Sequence, residues 1–352
     1  MNARLFPVVR ALTFVALALI ACAIVFQLAG YPSAGMFAAI AEGAFLAPHA
    51  IVHTIRWAMP LFVAALGVLV AFRCGYFNIG AQGQFYAGAI AAGLVADALH
   101  AGPPVLVIPL VLAAGIAGGA LWALWPGLLR VLSGTDEVIT TLMGNFIATL
   151  ALAYVASGPL KDGSGSGEVA AARPVAEGFR LSTSSGVSFS LAAIVIVVGL
   201  LMWLLVDRTA FGVLGSLAGR NPVMVVWQGA RSGRIAIGAF LFSGSLAGLA
   251  GALELLGPSG RLLSGFAPTL GFGSILIALV AGLSVSAAAV ASIFFGGLAA
   301  ASLYLPVIAG FPAAAIDIIN AAITLLITAR AWPSILTMRT WPSILRRRTA
   351  TP

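Results

Sequence analysis

Long apolar blocks separated by short polar interruptions dominate the chain, and a hydrocarbon core about 30 Å thick takes roughly 20 residues of helix to cross. Ten blocks approach that length, near 11–31, 57–72, 83–97, 104–125, 138–157, 189–206, 236–256, 270–284, 289–306 and 313–330. Polar and glycine residues between Arg73 and Gly83 interrupt the 57–97 stretch, so a broken or re-entrant piece is expected there. The pattern predicts an all-α, polytopic integral membrane protein of about ten transmembrane helices, some broken or short. They occupy 1–330 and are followed by a basic tail at 331–352.

Two connections are longer than a turn. The segment 158–188, rich in Gly, Ser and charge, reads as an outer loop that is flexible or holds short elements. The segment 207–235 reads as an inner loop with a turn at Gly219, Asn221 and Pro222 and a short surface helix after it. In the tail, "WPSIL" occurs at 332–336 and again at 341–345, each time before arginine, as a segment touching anionic headgroups would have it.

Composition agrees with lipid as the solvent: 61% of the 352 residues are hydrophobic and 8% charged, against about a quarter charged in a soluble domain. Disorder is excluded by the same apolar excess. Forty-one glycines point to helices packed backbone to backbone. Basic loops stay on the cytoplasmic side, and with an inner N-terminus thirteen of the eighteen bases fall inside and five outside, namely Arg56, Lys161, Arg173, Arg180 and Arg261. Both termini are therefore expected in the cytoplasm. The net charge of +8 is scattered over loops without an aromatic platform, which argues against nucleic acid as a partner. Cys22 and Cys74 lie far apart in apolar contexts and suggest neither a disulfide framework nor a metal site. "LIAC" at 19–22 resembles a lipoprotein cleavage box, but the apolar chain that follows favours an uncleaved first helix.

Polar groups at membrane depth call for a reason. The densest set lies in "RCGYFNIGAQGQF" at 73–85, where Asn78, Gln82 and Gln84 sit among glycines. This suits either an unwound backbone beside an aqueous path for a neutral, hydroxyl-rich solute, or an inner loop with helix caps. In "GTDEVITTLMGNFIA" at 134–148, Thr135 or Asp136 caps a helix, and Asn145 lies well inside the bilayer as a ligand contact or an interhelical bond. Glu254 and Asp317 are the carboxylates placed in or at the ends of spans, either on a pathway or in satisfied pairs. His49 and His53 are spaced i, i+4 without a third ligand, and His100 falls near an outer loop. No phosphate-binding "GxxxxGK[ST]" occurs and the single lysine is Lys161, so no bound cofactor is expected and any ATP is held by a partner.

Six ordered motifs carry a resemblance: "FNIGAQGQF" (77–85), "GTDEVITTLMGNFIA" (134–148), "SGPLKD" (157–162), "GRNP" (219–222), "FSGSLAGLAGALELLG" (242–257) and "GFGSILIALVAG" (271–282). Together they resemble permease subunits of bacterial ABC importers in the branched-chain amino acid and simple-sugar permease family, most closely its nucleoside and simple-sugar members. The resemblance implies a ten-helix permease of the cytoplasmic (inner) membrane, working with a second permease, cytoplasmic ATPase subunits and an extracytoplasmic substrate-binding lipoprotein. Transport is then expected by alternating access, with substrate passing the polar residues already singled out, Asn78, Gln82, Gln84 and Asn145. The ATPase would dock at Gly219, Arg220, Asn221 and Pro222 and on the helix at 222–230. Two departures stand out: "NPVMVVWQG" with Trp227 replaces the family's small-residue "NPEAARYAG", and "LSVSAAA" replaces an "N-x-P" turn after "IALVAG".

Overall fold

Helices carry the described chain, which in this computed structural model comprises residues 5–163, 171–181 and 187–329. Among them the β-type pairing is limited to two isolated bridges, Lys161 with Ala172 and Ala171 with Leu263. The chain divides into two compact units, one formed by 1–41 with 302–352 and the other by 42–301.

In the first unit, α1 (Leu5–Leu28) packs on α13 (Ala314–Ala329), and α2 (Ser33–Ala41) follows a turn at Gly30. Its described core contains Cys22, Phe26, Met36, Ile316, Ile319 and Ile323. The Phe26–Phe37 and Tyr31–Phe311 ring pairs, with centroids 6.0 and 6.1 Å apart, add to it. Asp317 lies exposed in the first turn of α13. The basic tail, with its repeated "WPSIL", lies outside the described residues.

The second unit holds α3 (Ala50–Arg73), α4 (Ala81–Ala98), α5 (Pro104–Ser133), α6 (Glu137–Ser157), α7 (Phe189–Arg208), α8 (Ala210–Arg220) and α9 (Pro222–Trp227). It continues with α10 (Ser232–Glu254), α11 (Leu270–Val280) and most of α12 (Val285–Tyr304). Its centre is the contact of α4, α5 and α10, made through glycine. A Cβ on Gly88 would stand 2.3 Å from the Gly248 Cα, and one on Gly248 only 2.2 Å from the Gly115 carbonyl oxygen. With no side chain between them the backbones touch, which lets packing hold helices together where lipid removes the hydrophobic drive. Outward faces are apolar instead, as at Leu150 and Tyr154 of α6 and Leu201 of α7.

Six helices among the described residues are long and apolar enough to cross a membrane: α3, α5, α6, α7, α10 with the π-helical turn at Leu255–Ser259, and α12 with the one at Leu305–Ala309. Shorter apolar helices cover Val15–Leu28, Ser33–Leu46, Leu270–Val280 and Ala314–Leu325. The expected span at 83–97 is α4, whose opening turns carry Gln82 and Gln84. The one at 270–284 is α11, whose 11 residues rise only about 16 Å. Two boundaries differ from the sequence expectation for identifiable reasons. The small-residue stretch 33–46 folds as α2 and a π-helical turn, and α3 starts at Ala50 rather than 57, which puts Arg56 inside a helix instead of on a loop. Helix α5 runs through Pro126 to Ser133, since a bundled membrane helix tolerates an internal proline.

Candidate functional site

Between the end of α3 and the start of α4 the backbone leaves helical geometry over Cys74–Gly80. An unwound segment buried among helices must find a partner for each polar group. Here neighbouring side chains supply them. The Phe77 N–H donates to Glu137 (3.4 Å), the Ile79 N–H to Thr141 Oγ1 (3.3 Å) and the Gly80 N–H to Asn78 Oδ1 (2.9 Å). Asn145, two turns into α6, bridges the break, because its Nδ2 donates to the Ile79 carbonyl (2.9 Å) and its Oδ1 accepts from the Gly83 N–H (2.8 Å).

Behind the break, Asn78 and Gln84 exchange two amide bonds of 3.0 Å each, and Asn78 Nδ2 also donates to Ser243 Oγ on α10 (2.9 Å). Gln82 reaches the opposite way. Its Oε1 accepts from the Gly271 N–H at the first turn of α11 (2.7 Å), and its Nε2 donates to the Ala267 carbonyl (3.3 Å). The starts of α4 and the short α11 thus meet, with Gly271 so close that a Cβ there would lie 2.2 Å from the Gln82 Cα. Asn78, Gln82, Gln84 and Asn145 are brought together as the sequence suggested, yet all are at most 3% exposed and bonded within the protein. Their partners Ser243 and Gly271 were hidden from sequence reasoning, because they lie 165 and 189 residues away along the chain.

At one end of this unit the loops converge on Arg73. Its guanidinium donates to the Leu283 carbonyl (2.8 Å) and the Val206 carbonyl (3.3 Å) and pairs with Asp207 (3.0 Å). The turn after α11 accounts for "LSVSAAA": Gly282 and Leu283 take positive φ of 58° and 63°, which presents that carbonyl to Arg73. Here too lies the "GRNP" elbow. Asn221 breaks α8 from α9 and accepts the Met224 N–H at 3.1 Å, and Pro222 occupies the first helical position, where its missing N–H is not needed. Arg220 is exposed, as are Val223, Met224 and Trp227 of α9. Gly219 is required by approach, since a Cβ there would lie 2.2 Å from the Arg73 carbonyl oxygen and 2.9 Å from the Gly75 nitrogen. The elbow therefore abuts the strand that carries the break.

At the other end, residues 171–181 lie over the chain following α10. The N–H groups of Ala172, Val175 and Leu181 donate to the carbonyls of Leu262, Gly260 and Leu256. The expected outer loop thus holds short elements, including a 3₁₀ turn at Glu177–Phe179 with Phe179 buried. Arg173 grips Asp97 in a two-toothed ion pair (2.8 and 2.7 Å), which holds the exposed guanidinium above its usual range. Glu254 is buried, and its Oε1 accepts from Arg56 (2.8 Å) and from the Ser259 hydroxyl (2.6 Å), while its Oε2 and Arg56 Nη1 are left without a hydrogen-bond partner among the described residues. Glu137 is paired with Arg130 (3.1 Å), and Asp136 rather than Thr135 caps α6. Cys22 and Cys74 are separate and buried, and among the described residues no three His, Cys, Asp or Glu side chains group as metal ligands.

Residues 50–328 match the model of the branched-chain amino acid transport system / permease component family. The guanosine ABC transporter permease protein NupP of Bacillus subtilis (strain 168) is 31% identical over 329 residues, covering 93% of this chain and 94% of the relative. The glucose ABC transporter permease protein TsgB13 of Haloferax volcanii is 31% identical, covering 77% and 73%, and the nucleoside ABC transporter permease protein NupB of Lactococcus lactis subsp. cremoris 28% identical, covering 79% of each. No solved structure matches the chain. This helical membrane protein, matched along most of its length by ABC permeases, belongs to the branched-chain amino acid transport system permease component family.

Proposed function

We propose that this permease subunit imports a nucleoside or a related neutral sugar by alternating access, powered by ATP bound on separate cytoplasmic ATPase subunits. A second permease completes the route, and an extracytoplasmic binding lipoprotein delivers the ligand. The relatives named for guanosine, nucleosides and glucose support that substrate class. So does the neutral amide set Asn78, Gln82, Gln84 and Asn145, which offers donors and acceptors without charge. In this structure Asn78 and Gln84 bond to each other, and Gln82 and Asn145 bond to backbone groups. Exchanging the Asn78–Gln84 pair for ligand hydroxyls keeps the hydrogen-bond count, so the path binds weakly and releases readily.

The observation that carries the mechanism is the contact of Gly219 with Arg73 and Gly75. A push on the exposed apolar face of α9 enters at the Asn221–Pro222 elbow and passes through Gly219 to the strand leading into the break. Arg73 ties the same point to α7 and to the α11–α12 turn. Ion coupling is disfavoured because the buried carboxylates Glu254 and Glu137 are both held by arginine. The excess of bases expected on the inner side supports a cytoplasmic position for the Arg73 end and for both termini. Replacing Asn221–Pro222 with Ala-Ala is expected to abolish uptake while membrane insertion persists. Normal uptake by that variant refutes the coupling assignment.

A further inference from the structure

Helices α3, α7 and α12 leave between them a lateral groove of about 410 Å³ whose walls include Met59, Phe62, Gly199, Trp203, Ala289 and Ile293. All three helices are candidate membrane spans, so the groove opens at membrane depth. From Val195 to Trp203 it follows eight residues of α7, about 12 Å of helix. Its two serines need nothing from an occupant, because the Ser292 hydroxyl donates to the Ala288 carbonyl (2.7 Å) and Ser286 pairs with Ser284 (3.2 Å). A narrow hydrocarbon channel fits a hydrocarbon chain.

The end of the groove near Trp203 is different. There the Arg208 guanidinium stacks over the Trp203 ring, 4.7 Å from its centre, at the last turn of α7. Tryptophan marks the membrane interface, so this cation stands at headgroup level. The neighbouring carboxylate, Asp207, is engaged by Arg73, and among the described residues no carboxylate pairs with Arg208. We infer that the α3–α7–α12 groove is a binding site for one anionic phospholipid, with an acyl chain against Phe62, Gly199 and Ala289 and the phosphate on Arg208. The charge at the groove's mouth selects such a lipid over a zwitterionic one, because a basic side chain at the surface attracts anionic headgroups. A lipid bound there would bridge the membrane-exposed side of α7 and α12 near the loops that converge on Arg73.

The test uses the full chain, purified and delipidated, with dioleoyl-phosphatidylglycerol, dioleoyl-phosphatidylcholine or inorganic phosphate added. Native mass spectrometry and thermal melting give the readouts. One phosphatidylglycerol is expected to be retained and to raise the melting temperature more than phosphatidylcholine does, and phosphate alone is expected to change nothing. Arg208→Gln should reduce phosphatidylglycerol retention about fivefold, the share of one basic residue, and Arg208→Lys should keep most of it. Ala289→Phe, which fills the groove, should lose retention of both lipids. If that variant does not fold, a spin label on Ile293→Cys should be relaxed more strongly by doxyl-labelled phosphatidylglycerol than by doxyl-labelled phosphatidylcholine. Equal retention of the two lipids, a phosphate effect as large as the lipid's, or equal relaxation overturns the site. So does a disulfide from Ile293→Cys to the second permease in the assembled transporter, which would make the groove a subunit interface.

Discussion

Replacing Asn145 with leucine keeps the side-chain volume close to native and removes both bonds that bridge the break, the 2.9 Å bond to the Ile79 carbonyl and the 2.8 Å bond from the Gly83 N–H. Side-chain hydrogen bonds between membrane helices average about 0.6 kcal/mol and reach about 1.7. The upper value applies here, because Asn145 serves both the Ile79 carbonyl and the Gly83 N–H and is itself only 3% exposed. Two bonds at that value give about 3 kcal/mol, roughly a hundredfold shift toward the unfolded state. Unfolding by sodium dodecyl sulfate in mixed micelles measures it directly. Thr149→Val on the same helix is the control, since that hydroxyl donates only to its own helix, at the Asn145 carbonyl (2.8 Å), and its loss should change stability little. If Asn145→Leu unfolds within about 0.5 kcal/mol of the native protein, the break is not held by this side chain and the account of the site fails.

Other predictions follow from the same contacts. Gly248→Val should destabilise by about 3 kcal/mol, the upper range for overpacking, because the added Cβ lies 2.2 Å from the Gly115 oxygen; Gly238→Ala, with nothing within 4 Å, should unfold like the native chain in the same titration. Gly219→Val should uncouple the assembled transporter, leaving ATP hydrolysis while uptake falls, and parallel loss of both would show damage to folding instead. Gln82→Leu frees the Gly271 N–H and should expose the start of α11, read as faster amide exchange confined to 267–274. Arg173→Ala should leave melting unchanged, since that pair with Asp97 is largely exposed.

Much of this arrangement was legible in the sequence because its signals are local. Three amides among glycines at 75–84 announce unwound backbone, and Asn221–Pro222 announces a helix restart, since a short polar side chain and a missing N–H act within a turn of where they stand. What stayed hidden depends on partners distant in sequence or on the absence of a side chain. Ser243 reads as one small residue in an apolar helix until Asn78 meets it, and Gly219 reads as turn chemistry until the Arg73 carbonyl occupies the space a Cβ would take. Glu254 left a pathway role and a satisfied pair equally open, and its pairing with Arg56 of α3 shows only once the fold brings residues 198 apart together. The stretch 33–46 escaped notice because its small and polar residues dilute an apolar run that helix packing then uses.

The central claim is that this chain conducts a neutral solute and draws its energy from a partner. Proteoliposomes containing it with its second permease, ATPase and binding protein should accumulate tritiated guanosine only when ATP is supplied on the ATPase side, and liposomes holding this chain alone under a proton or sodium gradient should accumulate none. Concentrative guanosine uptake by the chain alone, driven by an ion gradient, would contradict the account.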